Sequence, residues 1–225
     1  MLDQGRNICA ATPIPVIGDG DTGYGNALNV RRTVEMYARA GFAAVMIEDQ
    51  VTPKRCGHTK GKLVVERGQA FDRIKAAVDA RDAGADIMIL ARTDARHGHG
   101  LDEAIDRAKG FSDIGADMLF VEAPQSKGEM ARLTREAPGI HMANIVEGGA
   151  TPMLPAKELH QLGYRFAAYP LTLLSAAMKA IALALRDFSE EKHPAGMVME
   201  FDELRRIVGF DDYYAAETAY SDSRE

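Results

Sequence analysis

Six short apolar runs recur along the chain and predict the strands of one parallel sheet. Each run contains four or five residues with little polar alternation, which is typical of strands whose two faces are both buried. Parallel strands need crossover connections, so helices are expected between them. The runs are residues 14–17, 43–47, 87–91, 118–121, 141–145 and 166–169.

Longer segments with helical periodicity lie between these runs. Several of them end at a glycine, as expected where a helix closes in the left-handed conformation. Alanine adjoins glycine just before the next strand at Gly41, Gly84 and Gly115, which indicates one repeated helix-to-strand connection. The alternation predicts an α/β protein built from βα repeats. The helical segments are 29–41, 65–84, 101–115, 127–137 and 155–163.

The 225 residues contain no linker-like stretch, which predicts a single barrel domain rather than several domains. We expect the barrel to cover residues 1–188. A long apolar helix at 171–188 is the last element of this domain, and residues 189–225 form a C-terminal helical extension.

Composition narrows the class of partner. The net charge is −6 and no basic stripe is present, which argues against a nucleic-acid partner. No apolar run approaches the length of a membrane span, and residues 1–12 lack the features of a signal peptide. We therefore expect a cytoplasmic protein with no membrane partner. In that setting Cys9 and Cys56 do not indicate a disulfide framework.

Polar side chains cluster just after the predicted strands. In a parallel barrel these strand ends converge on one rim, where the active site lies. The alternative is that some of these residues only cap the following helices, Asp94 being the best example. A shared site explains the whole set better. Its members are Asp19 and Asp21, Glu48 and Asp49, Arg92 and Asp94, Glu122, and Asn144 and Glu147.

Three of these carboxylates predict a metal site. Asp19, Asp21 and Glu48 offer hard oxygen ligands, which suit Mg²⁺ and also Mn²⁺. The alternative for Asp19-Gly20-Asp21 is an Asx-type turn. The glycine spacing that begins at Gly18 fits the letters of a dinucleotide fingerprint, but the acidic residues would then face a pyrophosphate, so we reject that interpretation.

A second motif, Lys54-Arg55-Cys56-Gly57-His58, predicts a proton-transfer group. Neighbouring positive charge favours the thiolate of Cys56, and a cysteine that only fills space would more often have apolar neighbours. Arg92 can bind a carboxylate in a bidentate manner. A divalent metal, an arginine and a thiol acid/base together suit enolate chemistry on a 2-oxo or 2-hydroxy carboxylate.

These residues resemble the isocitrate lyase/phosphoenolpyruvate mutase superfamily. The Lys-Arg-Cys-Gly-His sequence resembles its lyase branch, which includes methylisocitrate lyases, 2,3-dimethylmalate lyases and petal death proteins. The resemblance extends from the first residue to about Tyr220. The matching motifs are residues 19–25, 47–50, 54–58, 91–95, 121–124 and 144–149.

The resemblance implies a (β/α)8 TIM-type barrel, of which about six βα units are recognised here, followed by C-terminal helices. It further implies that Asp19 binds the metal directly, with Asp21 and Glu48 acting mainly through water. The catalytic residues it implies are Cys56, Lys54, His58, Arg92 and Glu122. The substrate-binding residues it implies are Arg92, Asn144, Glu122, Gly57 and His58.

By this resemblance the protein is expected to cleave a 2-hydroxy di- or tricarboxylate, of the 2-methylisocitrate or 2-alkylmalate type, to a 2-oxo acid and a carboxylate. An oxaloacetate hydrolase or decarboxylase and an inactive, truncated relative remain alternatives. The resemblance also implies a homotetramer, a dimer of dimers that exchanges C-terminal helices, although the last helices could instead pack on their own barrel. Six units cannot close an eight-stranded barrel, so two uncovered sheet edges are expected.

Overall fold

The computed structural model describes residues 1–55 and 61–221. Six parallel strands form one curled, half-barrel sheet, in which each strand pairs with the next one in the sequence. This confirms the predicted α/β architecture of the TIM type. The strands are β1 (Ile17–Asp19), β2 (Ala44–Glu48), β3 (Met88–Thr93), β4 (Met118–Val121), β5 (Ile140–Asn144) and β6 (Tyr164–Ala168).

Helices alternate with the strands in the predicted order. Asn26 begins the helix after β1 by accepting hydrogen bonds from the backbone of Leu28 and Asn29, and Gly115 ends another in the left-handed conformation with φ 108°. The helices are α1 (Leu2–Ala11), α2 (Ala27–Arg39), α3 (Arg67–Asp82), α4 (Ala95–His99), α5 (Leu101–Ile114), α6 (Lys127–Glu136), α7 (Ala156–Gln161), α8 (Thr172–Ser189), α9 (Phe201–Ile207) and α10 (Phe210–Ser221), with a 3₁₀ turn at Ala195–Met197.

Two elements differ most from the sequence prediction, and β6 also begins two residues earlier than predicted, at Tyr164. The first strand begins at Ile17, three residues later than expected, because Pro13 and Pro15 have no N–H to donate and Ile14 is exposed. The short helix α4 lies outside the helical segments that the sequence predicts, and its His97 is solvent-exposed.

The sheet buries two apolar layers because successive side chains on a strand point to opposite faces. On β2, Val45 and Ile47 belong to the large core between the sheet and the helices. Ala44 and Met46 face the other way, into a second cluster with Leu90, Met118 and Phe120. We call this second cluster the inner layer. Glu48 has the same parity as Met46, so the pleat directs its carboxylate to the inner side of the sheet at the strand end.

The chain divides into two compact units, Met1–Thr172 and Leu173–Glu225. The first unit contains the sheet and both apolar layers. In the second, no described residue of α9 or α10 is buried, and large apolar side chains such as Phe201 are exposed. The assignment of residues 1–188 to the barrel, and exchange of the last helices between subunits, stay predictions. None of the helices in the described ranges combines the length and the apolar character that a membrane crossing requires.

Candidate active site

The carboxyl ends of the strands bring most of the predicted site residues together. In the register of β2 and β3, Glu48 lies opposite Arg92. Arg92 reaches Glu122 at the end of β4, and Glu122 in turn contacts Asn144 at the end of β5. Residues far apart in sequence thus form one continuous polar surface, as expected for a parallel barrel.

Three carboxylates converge on the ammonium group of Lys54. Its Nζ lies 3.7 Å from Asp19 Oδ2 and 3.6 Å from Glu48 Oε1, and it forms an ion pair with Asp21. Burial lowers the pKa of Lys54, but Asp21 and then Glu48 and Asp19 outweigh that effect and raise it overall. The ammonium is therefore charged, and its position is one that favours a cation.

The Asx turn, considered above as an alternative to a metal site, is also present. The backbone N–H of Asp21 donates to Asp19 Oδ1 at 2.9 Å, and Asp21 adopts a φ of 51°, a left-handed conformation that aspartate tolerates. The backbone carbonyl of Asp21 accepts from the Glu48 N–H at 2.9 Å. The turn uses only one oxygen of Asp19, and the other oxygen faces the cluster.

The donor set of this acidic cluster fits Mg²⁺. The side chain of Glu48 is fully buried, and neither of its carboxylate oxygens has a hydrogen-bond donor among the described residues. A buried carboxylate without donors is stabilised by a nearby cation. Within residues 1–55 and 61–221, no three acidic, histidine or cysteine side chains are close enough together to ligate a metal jointly. Asp19, Asp21 and Glu48 nonetheless offer carboxylate oxygens, the type of ligand that Mg²⁺ takes together with several waters.

The ionisation of Glu48 reflects its position. Burial raises the pKa of its carboxyl to about 7, against the opposing charges of Arg92 and Lys54. The Arg92 Nε lies 3.3 Å from Glu48 Oε2. Arg92 and Lys54 therefore lower the pKa of Glu48 by less than its burial raises it.

Arg92 is the central cation of the site. Its guanidinium contacts Glu122 Oε2 at 3.3 Å and lies 4.9 Å from the centre of the Phe120 ring, in the geometry of a cation–π contact. It also donates two hydrogen bonds to Asp94, from Nε at 2.8 Å and from Nη2 at 3.2 Å. The sequence predicted that Arg92 binds a substrate carboxylate, and this role stays a prediction.

Asp94 does not act as the helix cap that the sequence suggested. It occupies the N-cap position of α4, but its side chain makes no capping hydrogen bond. Its carboxylate instead pairs with Arg92 and with Lys62, whose Nζ lies 3.3 Å from Asp94 Oδ1. Burial raises the pKa of Asp94, but Arg92 and then Lys62 outweigh burial and lower it, so the group is ionised at neutral pH.

The other predicted residues divide into three groups. The Asn144 Nδ2 donates to Glu122 Oε2 at 3.3 Å, so the structure brings these two residues together, and their catalytic and substrate-binding roles stay predictions. Glu147 is exposed and accepts a hydrogen bond from Thr172 at 2.5 Å. Cys56, Gly57 and His58 lie outside the described residues, and their roles stay predictions.

Asp49 has a structural role that the sequence did not separate from the rim. Its two oxygens accept from the Thr93 hydroxyl at 2.6 Å, the Asp94 N–H at 2.9 Å and Arg107 Nη1 at 3.0 Å, all in buried positions. These bonds tie the end of β2 to β3 and α5. A signal was available, because Arg107 falls on the apolar stripe of α5 that includes Ala104 and Ala108.

Arg73 supports the same strand end from α3. Its Nη1 donates to the backbone carbonyls of Glu48 at 3.1 Å and Gln50 at 2.8 Å. It too lies on an apolar helix stripe, between Ala70 and Ala77. An arginine in an otherwise apolar stripe is the sequence signal for a buried cation that satisfies strand-end carbonyls.

Known proteins are similar to this chain over most or all of its length. The model of the phosphoenolpyruvate phosphomutase family matches residues 1–189. The 2,3-dimethylmalate lyase of Eubacterium barkeri is 40% identical over 227 residues, which cover 100% of this chain and 78% of that protein. The 2-methylisocitrate lyase of Salmonella typhimurium is 40% identical over 214 residues, covering 93% of this chain and 72% of the relative.

Solved structures agree with the sequence relatives. The crystal structure of 2,3-dimethylmalate lyase superposes with a TM-score of 0.89 at 37% identity, covering 98% of this chain and 74% of that one. Oxaloacetate acetylhydrolase in complex with the inhibitor 3,3-difluorooxalacetate also gives a TM-score of 0.89, at 34% identity, covering 98% of this chain and 76% of that one.

A half-barrel of parallel strands with an acidic cluster and a buried arginine at its carboxyl ends defines an enzyme of the α/β-barrel class. The chain belongs to the phosphoenolpyruvate mutase/isocitrate lyase superfamily. Its relatives at 40% identity include lyases that are named for two different substrates, and the chain is a carbon–carbon lyase.

Proposed function

We propose that the protein is a Mg²⁺-dependent lyase that cleaves a 2-hydroxy di- or tricarboxylate to a 2-oxo acid and a second carboxylate. The observation that carries this proposal is the convergence of Asp19, Asp21 and Glu48 on one cationic position beside Arg92. A cation site next to a buried guanidinium suits a substrate with a carboxylate and a neighbouring oxygen. The names of the two lyase relatives are consistent with such a substrate.

The reaction redistributes one proton and one bonding pair. A base takes the proton of the substrate hydroxyl, and the carbon–oxygen bond becomes the carbonyl of the 2-oxo acid. The adjacent carbon–carbon bond breaks, and its electron pair stays on the departing fragment as a carbanion next to a carboxylate. Protonation of that carbon completes the second product, so an acid must lie on the side where the fragment departs.

The residues of the chain divide this work. Arg92 holds a substrate carboxylate, and its contact with Phe120 keeps the guanidinium in place. Glu122 and Asn144 line the same side of the site. Mg²⁺ held by Asp19, with Asp21 and Glu48 nearby, would supply Lewis-acid stabilisation for negative charge on the oxygen atoms of the substrate.

Cys56 is the acid in this proposal. Lys54 and His58, its neighbours in the sequence, raise the local positive charge and favour the thiolate that remains after proton transfer. Cys56→Ser should slow turnover by orders of magnitude, because a hydroxyl is a far weaker acid than a thiol with a pKa of about 8.5. Cys9→Ser is the matched control, since Cys9 lies on α1 and packs against the large core between the sheet and the helices. Equal loss in both variants would remove Cys56 from the mechanism.

The decisive assay offers the purified protein four substrates with and without Mg²⁺. Release of a 2-oxo acid from 2,3-dimethylmalate, 2-methylisocitrate or isocitrate supports the proposal. Release of oxalate and acetate from oxaloacetate supports a second candidate, a hydrolase, which is favoured by the superposition with oxaloacetate acetylhydrolase. Decarboxylation of oxaloacetate would be seen as pyruvate. Absence of turnover with all four substrates would contradict both enzymatic candidates.

A further inference from the structure

Asp94 stands out among the carboxylates around Arg92 because it takes one whole edge of the guanidinium. Its two oxygens accept from Nε at 2.8 Å and from Nη2 at 3.2 Å. The contacts of Arg92 with Glu48 and Glu122 are longer, 3.3 Å each. A paired contact of this kind fixes the plane of a guanidinium as well as its position.

Asp94 is itself held from two directions. Its backbone N–H donates to Asp49 Oδ1 at 2.9 Å, so the strand-end network fixes its main chain. Lys62 fixes its side chain, with Nζ at 3.3 Å from Oδ1. The side chains of Lys62 and Asp94 are 2% and 0% exposed. Water therefore cannot replace either contact without a rearrangement of the site.

We propose that Asp94, held by Lys62, is a positioning residue that sets the orientation in which Arg92 meets the substrate carboxylate. This rests on the proposed function, in which Arg92 binds that carboxylate. With Asp94 on the Nε and Nη2 edge and Phe120 against the face, rotation of the guanidinium is restricted.

The balance of charge around Arg92 explains the presence of Lys62 beside Asp94. Arg92 lies near three carboxylates, Glu48, Asp94 and Glu122, which together could neutralise it. Lys62 offsets the charge of Asp94, so that Asp94 orients Arg92 without cancelling the attraction of Arg92 for an anionic substrate. The Asp94–Lys62 pair can therefore orient Arg92 without reducing its positive charge towards the substrate. A carboxylate without Lys62 would orient Arg92 but would also neutralise it.

The first test replaces Asp94 by Asn, which keeps the shape and one acceptor oxygen but removes the charge. The full chain is assayed with 2,3-dimethylmalate and 2-methylisocitrate, and oxalate binding is measured by calorimetry as a readout that does not need turnover. We expect the KM and the oxalate Kd to rise about 10- to 100-fold, because small errors of orientation at a binding group have effects of this size. The kcat should change much less.

Two further variants separate positioning from a general effect on folding. Lys62→Met should raise KM by a smaller factor, and in combination with Asp94→Asn it should add little, because Lys62 acts through Asp94. The double variant also removes both charges of the pair, so it remains a test if the single variant does not fold. The control is Glu129→Gln, which removes the carboxylate that pairs with Arg96 on α4 and should leave KM unchanged.

The outcomes are distinct. Unchanged KM and oxalate Kd in a folded Asp94→Asn protein would overturn the inference, and so would a loss confined to kcat. Failure of the unmodified chain to bind oxalate would overturn it as well. Oxalate binding that weakens in Asp94→Asn, in a chain that turns over none of the substrates, would support the role of Asp94 while contradicting the proposed function.

Discussion

Two adjacent levels of the inner face of the sheet differ sharply in chemistry. At the carboxyl ends of the strands, charged side chains such as Glu48, Arg92 and Glu122 are buried together. One pleat below them, Met46, Leu90 and Phe120 are buried and wholly or largely apolar. The same strands thus carry a charged rim and an apolar layer within two residues of each other.

The two levels contribute to the free energy of folding with opposite sign. The inner layer gains free energy from the removal of apolar surface from water. The rim retains a buried carboxylate, Glu48, that has no hydrogen-bond donor among the described residues, which is unfavourable for folding. An apolar layer directly beneath the rim also lowers the local dielectric constant and so strengthens the interactions on which binding depends.

The strongest way to break the comparison is to remove a charge from the rim without disturbing the fold. Asp19→Ala should do this, because the Asp19 side chain is 40% exposed. If Asp19 is the proposed Mg²⁺ ligand, its loss should lower kcat/KM about 10³-fold, since a metal ion contributes several kcal/mol to charge stabilisation in the transition state. Calorimetry should show weaker Mg²⁺ binding, and Asp72→Ala on the exposed side of α3 is the control. Unchanged Mg²⁺ affinity would remove Asp19 from the site.

Apolar burial away from the rim should give the opposite result. Ile89→Ala removes a fully buried side chain from β3 and should lower the free energy of unfolding by about 2–5 kcal/mol. Urea denaturation measures this loss, and kcat/KM per folded molecule should be unchanged. The adjacent Met88 is 45% exposed, so Met88→Ala should cost much less. Ile89 lies in the large core between the sheet and the helices, so a kinetic defect in folded Ile89→Ala would show that this core is coupled to the rim.

A titrating group near the amino end of β5 sharpens the comparison further. His141 is buried, and its Nε2 donates to the Ala137 carbonyl at 2.6 Å. Burial lowers the pKa of His141, against that hydrogen bond. Below about pH 6.5 the unfolded chain takes up a proton that the folded chain resists, so the free energy of unfolding should fall as the pH drops from there towards the folded-state pKa.

The variant His141→Gln keeps an N–H donor but cannot titrate in this range. Thermal melts between pH 7.5 and roughly pH 5 should therefore show a smaller pH dependence for the variant than for the unmodified chain. Parallel curves for the two proteins would mean that His141 does not contribute to the acid sensitivity of the fold.

The smallest effect should come from an exposed ion pair that belongs to neither region. Lys75 and Asp79 are one turn apart on α3, with Nζ 2.9 Å from both carboxylate oxygens. Asp79→Asn should cost about 0.3–0.5 kcal/mol, and the difference should shrink in high salt. A loss as large as that of Ile89→Ala would contradict the view that stability lies in the apolar layers.

The strands could be predicted because the signal for them is local. An uninterrupted apolar run specifies a strand buried on both faces, and 118–121 coincides with β4. The acidic cluster could also be predicted from the sequence, since Asp19, Asp21 and Glu48 all stand at or just after the ends of strands. The error at β1 came from counting Ile14 as part of an apolar run although prolines flank it on both sides.

The partners of the buried charges could not be predicted in the same way. Asp94 pairs with Lys62 across 32 positions, and Asp49 pairs with Arg107 across 58. Such contacts depend on how helices pack over the sheet, which no short window of sequence contains. For this reason the sequence alone predicts Asp94 as a possible cap and Asp49 as one more member of the rim, although distant cations contact both residues.

The order of the strands has a consequence for how the molecule is made. Because each strand pairs with the one synthesised before it, most of the sheet can form from segments that have already left the ribosome. Among the described site residues, those around the cation position, from Asp19 to Lys54, emerge first. Asn144 emerges last among the described site residues, and only with it is the wall beside Glu122 complete. Translation thus builds the acidic end of the site, around Asp19 and Glu48, well before the end around Asn144.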